Sequence, residues 1–163
     1  MCAIIDACVL SEVFSKRRDR PTTEAGREFF QWLQDGNGRL VIGGKLTKEL
    51  LKVSKFSKWV TEAKRNKGKD KNNDKDKLVI IDSNRINSVT KEIEERHVLR
   101  SNDSHIIALA QVSGARLLFS KDKKLIRDFE NPDIINNPPG KIYSDATEGK
   151  RELLKSHRCR LGS

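Results

Sequence analysis

Asp6, Glu49, Asp103 and Asp122 are the residues of this chain whose types and placement point most directly to chemistry. Asp6 directly follows the apolar run Ala3-Ile4-Ile5, and Asp122 lies just past Phe119-Ser120 at the end of another apolar run. Glu49 falls near the start of one helical pattern, and Asp103 in the first turn of a second. Each acid has an ordinary reading: Asp103 favours the positive end of its helix dipole by roughly 0.3–1 kcal/mol, and Glu49 is a solvated helix residue. Together they are harder to dismiss. Carboxylates brought within a few ångströms repel, so some must be protonated or offset by cations. Oxygen-only donors select hard divalent ions, and Mg²⁺ keeps several waters when one or two carboxylates hold it, which leaves positions for a phosphate oxygen and an attacking water. Mn²⁺ should substitute. Such an ion lowers the pKa of its water, aligns it for in-line displacement and offsets transition-state charge. The chemistry expected of these acids, as catalytic and metal-holding residues, is hydrolysis of a phosphodiester backbone. His97, His105 and His157 show no ligand spacing and are expected on the surface or in packing, and Asp128 is read as a cap for the loop after its helix rather than a fifth acid.

The elements that must position these acids follow from periodicity and punctuation. Residues 3–5 read as a strand, with Val9, Leu10, Val13 and Phe14 at helical spacing behind it. Pro21-Thr22-Thr23 introduces a helix over 24–34, stopped by Asp35-Gly36-Asn37-Gly38. Leu40-Val41-Ile42 is the next strand, and Gly43-Gly44 turns the chain into one long amphipathic helix over 46–63. Residues 64–77 hold almost nothing but Lys, Asp, Asn, Arg and Gly and are expected to form a mobile loop, because they have no apolar area to offset ordering entropy. An extended run over 78–81 precedes a helix capped by Asp82-Ser83. Ser101-Asn102 caps a helix over 103–112 that ends at Ser113-Gly114, and 115–119 is a buried strand. A short helix around 124–129 and a last strand at 141–143 complete the series. Strands alternating with helices predict an α/β fold, a three-layer sandwich whose central parallel sheet is flanked by helices. Ligands of such sheets bind beyond the carboxyl ends of the strands, and Asp6 and Asp122 both point to that rim.

At 163 residues the chain suits one domain, expected over 1–146, with a polar, basic and loosely fixed tail over 147–163. No apolar run approaches the roughly 20 residues needed to cross a bilayer, and the start of the sequence lacks a basic and apolar export signal. Cys2, Cys8 and Cys159 match neither a disulfide framework nor a zinc spacing; read as free thiols, they suit a reducing cytoplasm. The net charge of +10 should attract polyanions.

Four segments carry a resemblance. Ile4-Ile5-Asp6-Ala7-Cys8-Val9-Leu10, then Lys48-Glu49-Leu50, then residues 102–110 from Asn102-Asp103-Ser104-His105, then 114–122 ending Phe119-Ser120-Lys121-Asp122 resemble, in order, the signature of the PIN domain family. The match extends to about residue 130, and its most specific half is the aspartate opening an alanine-rich helix, the glycine that ends it, and the strand leading to Ser-x-Asp. The resemblance implies a metal-dependent endoribonuclease, frequently a toxin of the VapC type whose antitoxin partner blocks the cleft. The family usually places hydroxyl or amide residues after the first aspartate, where this chain has Ala7 and Cys8. The hydroxyl that would orient Asp6 is therefore expected to be missing, with a cost to metal affinity or rate of roughly 10–100-fold.

For nucleic-acid contact the basic stretch 64–77, through Lys67, Lys69 and Lys71, is one reading and a solvated loop the other. Arg100, Lys121 and Lys123 beside the rim are the further candidates. Lysines reach phosphates without reading base edges, so they should supply affinity and salt dependence rather than sequence choice. Three rivals to an endoribonuclease remain: a non-catalytic PIN-type RNA-binding or scaffolding module, a structure-specific DNA nuclease, and a receiver-like or phosphatase domain, the last weakened because Asp6-x-Cys8 lacks a second acid. The partners expected are an RNA substrate and an antitoxin; a homodimer is compatible with the sequence, and a membrane is not expected.

Overall fold

The computed structural model describes residues 2–14, 23–66, 77–145 and 147–156. The apolar β-prone runs form five strands, β1 (Cys2–Ile5), β2 (Arg39–Gly43), β3 (Leu78–Ile81), β4 (Leu117–Phe119) and β5 (Lys141–Tyr143). They make one sheet of order β3-β2-β1-β4-β5, and every neighbouring pair is parallel. The three inner strands β2, β1 and β4 are almost wholly buried, as expected of a parallel sheet covered on both faces. The chain winds outward from β1 through β2 to β3, then returns to β4 on the other side of β1. The strand order thus reverses between β1 and β4, and the crevice beyond their carboxyl ends is the switch point at which such sheets bind ligands.

The helices are α1 (Leu10–Val13), α2 (Glu24–Gln34), α3 (Gly44–Leu50), α4 (Ser54–Arg65), α5 (Ser83–Arg96), α6 (Ser104–Ser113), α7 (Lys123–Glu130) and α8 (Glu148–Ser156), with a 3₁₀ turn at Ala7–Val9 behind β1. On one face, Phe29 of α2 lies against Phe119 of β4 and Tyr143 of β5, with ring centroids 5.2 and 5.9 Å away. Phe14 joins α4 there through Phe56 and Trp59. On the other, α3, α5 and α6 pack on one another and over β2. The interior of α6 is apolar all round, with Ile106, Ile107, Ala108, Leu109 and Ala110 fully buried, so it is the central helix of its layer. Its glycine stop works as expected, Gly114 taking the left-handed conformation at φ 77°. Thr23 and Asp82 cap α2 and α5 through their side chains.

Several expectations are corrected. The single helix over 46–63 is two, α3 and α4, broken at residues 51–53. Leu50 and Phe56 are both fully buried, and six residues of continuous helix would turn them about 120° apart; the extended Val53 (ψ 113°) resets the phase. The cap of α6 is Asp103 rather than Ser101-Asn102, because the Ser101 hydroxyl is donated to Asp128 instead. Cys2 is disulfide-bonded rather than free; proximity in the fold, which spacing along the chain does not record, decides pairing. In the described part of the tail, α8 includes Leu153 and Leu154: Arg151 bonds Glu28 at 2.7 Å and Glu24 at 2.9 Å, Lys150 donates to the Ile142 carbonyl, and Leu154 is buried. No helix among the described residues is long and apolar enough to cross a membrane.

Candidate active site

Strand register brings the first acid to the fourth. Ile5 pairs with Phe119, and Asp6 N donates to the Phe119 carbonyl at 2.9 Å, so Asp6 and Ser120 leave the sheet side by side. Ser120, with no exposed surface, donates its hydroxyl to Asp6 Oδ2 at 2.8 Å and accepts from Asp122 N at 3.1 Å. One buried oxygen therefore stitches the ends of β1 and β4 together across the switch point. Cys8 Sγ donates to the same Asp6 oxygen at 2.9 Å. Burial, and then the hydrogen bond and charge of Asp6, push the Cys8 thiol up, which keeps its proton on and the bond donated. The expectation that no hydroxyl orients Asp6 is thus overturned. The hydroxyl comes from Ser120 on the neighbouring strand, and the thiol of Cys8 supports it from the position where a second local hydroxyl was sought.

Asp103 occupies the N-cap of α6 yet makes no side-chain capping bond, so helix capping does not account for its carboxylate. Burial raises its carboxyl above the ordinary range, the charge of Asp6 adds to this, His105 opposes it, and Asp122 and Glu49 contribute in the same upward sense. Asp6, Asp122 and Glu49 thus all lie within electrostatic reach of Asp103. Glu49, on the short helix α3, stands 3.9 Å from Lys45 Nζ and 3.7 Å from His105 Nε2. Asp122 has a structural duty, capping α7 by accepting from Lys124 N and Leu125 N at Oδ1. Even so, Asp6 Oδ1, Asp122 Oδ2 and both carboxylate oxygens of Asp103 take no hydrogen bond among the described residues. No three His, Cys, Asp or Glu side chains among the described residues are drawn together tightly enough to form a ready metal cage. The donor set fits a hard cation in kind, being wholly carboxylate with unspent oxygens.

His105, expected at the surface or in packing, is buried, and its Nε2 has no hydrogen-bond partner among the described residues. Burial holds it toward the neutral form, against the pull of Glu49. Its neighbourhood with Glu49 escaped the sequence reading because the two lie on helices that meet only in the fold. The Asp128 carboxylate does not cap the loop after its helix; only its backbone carbonyl accepts from Asn131 N there. The carboxylate reaches back to accept from Arg100 N at 2.9 Å and from Ser101 N and Oγ at 2.8 and 2.7 Å, clamping the loop that delivers Asp103. Of the basic candidates, Lys121 is held by Glu12 Oε1 at 2.6 Å, while Arg100 and Lys123 are exposed beside the rim. Lys67, Lys69 and Lys71 lie outside the described residues.

A family model for the PIN domain matches residues 3–130, most of the chain and all four acids. The chain belongs to the PIN domain family. PIN domains are in general nucleases that act on nucleic acid and typically use divalent metals, so the chain is assigned coarsely to that class of hydrolase. Comparisons with curated proteins and with solved structures found no match.

Proposed function

We propose that this PIN domain is an endoribonuclease that hydrolyses RNA phosphodiester bonds at the β1–β4 rim, with Asp6, Glu49, Asp103 and Asp122 as the catalytic and metal-holding acids and Mg²⁺, replaceable by Mn²⁺, as the ion. The observation that carries the reading is the pair Asp6 and Asp122, fixed by one buried hydroxyl and each left, among the described residues, with an unbonded carboxylate oxygen. Bound there, a divalent cation supplies charge neutralisation at phosphate and a water of lowered pKa. The chain does the rest through positioning. Ser120 and Cys8 keep Asp6 in one orientation, the α7 cap fixes Asp122, and the Asp128 clamp holds the approach to Asp103. Exposed Arg100 and Lys123, and Lys121 once it leaves Glu12, are placed to meet the backbone, and the net charge of +10 suits a polyanion. The VapC-like resemblance extends the proposal to a cytoplasmic toxin held by an antitoxin partner.

The test is cleavage of matched RNA and DNA strands in Mg²⁺ or Mn²⁺. The expected result is cleavage of RNA by the parent and none by Asp6→Asn of unchanged fold. Cleavage at the parent rate by Asp6→Asn refutes the role of Asp6, and preference for DNA transfers the activity to the DNA-nuclease reading. Growth arrest on expression of the parent, and not of Asp6→Asn, is the outcome expected of a toxin.

A further inference from the structure

We infer that His105 is a positioning residue for Glu49: its buried imidazole Nε2–H is the anchor onto which the Glu49 carboxylate closes, turning that acid toward Asp103. The inference rests on the reading of Glu49 as a rim acid. His105 is the second residue of α6, 7% exposed, and its Nε2 has no hydrogen-bond partner among the described residues. A buried polar atom left without a hydrogen-bond partner is costly. An apolar side chain, such as those of Ile106 and Ile107 that follow, would fill the same space without that cost. The nearest carboxylate is Glu49 Oε2 at 3.7 Å, about half an ångström beyond hydrogen-bond range. The two partners differ in freedom. His105 is sealed in the most buried helix of its layer, whereas the Glu49 side chain is 31% exposed and, among the described residues, otherwise engaged only by Lys45 at 3.9 Å. A small rotation of Glu49 therefore closes the gap, and the imidazole need not move. Because α6 begins at Asp103, a Glu49 fastened to His105 shares a rigid frame with Asp103, although the two acids come from different crossovers.

His105→Gln and His105→Met separate space filling from hydrogen bonding. Gln puts an N–H near the Nε2 position, and Met fills the space with no donor. Melting temperature is followed against Mn²⁺ concentration for the parent, both variants, Asp6→Asn, Glu49→Gln and the double variant Glu49→Gln/His105→Met, with metal-free melts as the control for folding. Expected is a parent-like Mn²⁺ response in His105→Gln and a need for roughly 10-fold more Mn²⁺ or greater in His105→Met, the range seen when a partner of a metal-holding residue is removed. His105→Met should add nothing further in the Glu49→Gln background. Should His105→Met not fold, His105→Asn, whose amide stops short of the Nε2 position, takes its place with the same expectation. A parent-like response in His105→Met, or equal losses in Gln and Met, overturns the inference while leaving the acidic rim intact. No Mn²⁺ response in the parent, with Asp6→Asn indistinguishable from it, overturns the metal reading itself and this inference with it.

Discussion

Replacing Ser120 by Ala removes one oxygen, and the geometry around it sets what the loss should cost. The hydroxyl is fully buried, donates to the Asp6 carboxylate at 2.8 Å and accepts from Asp122 N at 3.1 Å. A hydrogen bond to a charged group is worth about 1.5–3 kcal/mol and a neutral one about 0.5–1.5. Cys8 remains to donate to the same Asp6 oxygen, which holds the first contribution to the lower part of its range. The expected destabilisation is about 2–3 kcal/mol, or roughly 4–12 °C in Tm for a domain of this size. Urea unfolding read by linear extrapolation measures it, provided the slope m is unchanged. The decisive arm repeats the substitution in Asp6→Asn, where the charge-assisted part is already gone and the cost should fall to about 1 kcal/mol. Equal costs in the two backgrounds, or a loss below about 0.5 kcal/mol in the parent, would refute the claim that this hydroxyl joins the two strand ends through the Asp6 charge.

Three further outcomes are expected. Because the Asp103 carboxyl is raised in the folded state, its contribution to stability is present in acid and is lost as pH rises from the ordinary carboxylate range through the raised value. Asp6→Asn removes one cause of that rise, so it should lower the Asp103 titration midpoint by carboxyl NMR and flatten this loss of stability; an unmoved midpoint would show that the two acids do not interact. Asp128→Ala strands the Arg100 and Ser101 amides and the Ser101 hydroxyl, so it should cost about 3 kcal/mol or more and speed hydrogen exchange at both amides, with exchange at the parent rate as the contrary result. Replacing Lys67, Lys69 and Lys71 together by Gln should weaken RNA binding at every sequence and reduce the salt slope by about 0.7 for each phosphate that is no longer neutralised, as read from log K against log salt; an unchanged slope means that other cations hold the backbone.

What could be read from the sequence was whatever local pattern decides. Thr23 before α2, Asp82 before α5, Gly114 after α6 and the apolar runs of β1, β2 and β4 all act over a few residues, and each stands where expected. The positions of Asp6 and Asp122 at strand ends followed from the same signals. Features that escaped depend on distance in the chain. Ser120 meets Asp6 across 114 residues and Asp128 meets Arg100 across 28, and neither partnership leaves a periodicity. His105 was assigned by the absence of ligand spacing, yet its surroundings are set by how α6 packs beside α3. The break between α3 and α4 was hidden because Leu46, Leu50 and Val53 continue into Phe56 with an apolar pattern that looks unbroken until the phase of the turn is counted.

The placement of β1 at the centre of the sheet, with its neighbours drawn from both directions of winding, also bears on when the protein can act. Synthesis supplies Asp6 first and Asp122 more than a hundred residues later, and the strand that carries Asp122 to the rim pairs directly with β1. A chain still emerging from the ribosome with only β1 to β3 formed therefore has an open edge where β4 belongs, no Ser120 beneath Asp6 and neither Asp103 nor Asp122 beside it. On the proposed reading, a nuclease of this topology stays inert toward the messenger and the ribosome that are making it until nearly all of its domain has been released.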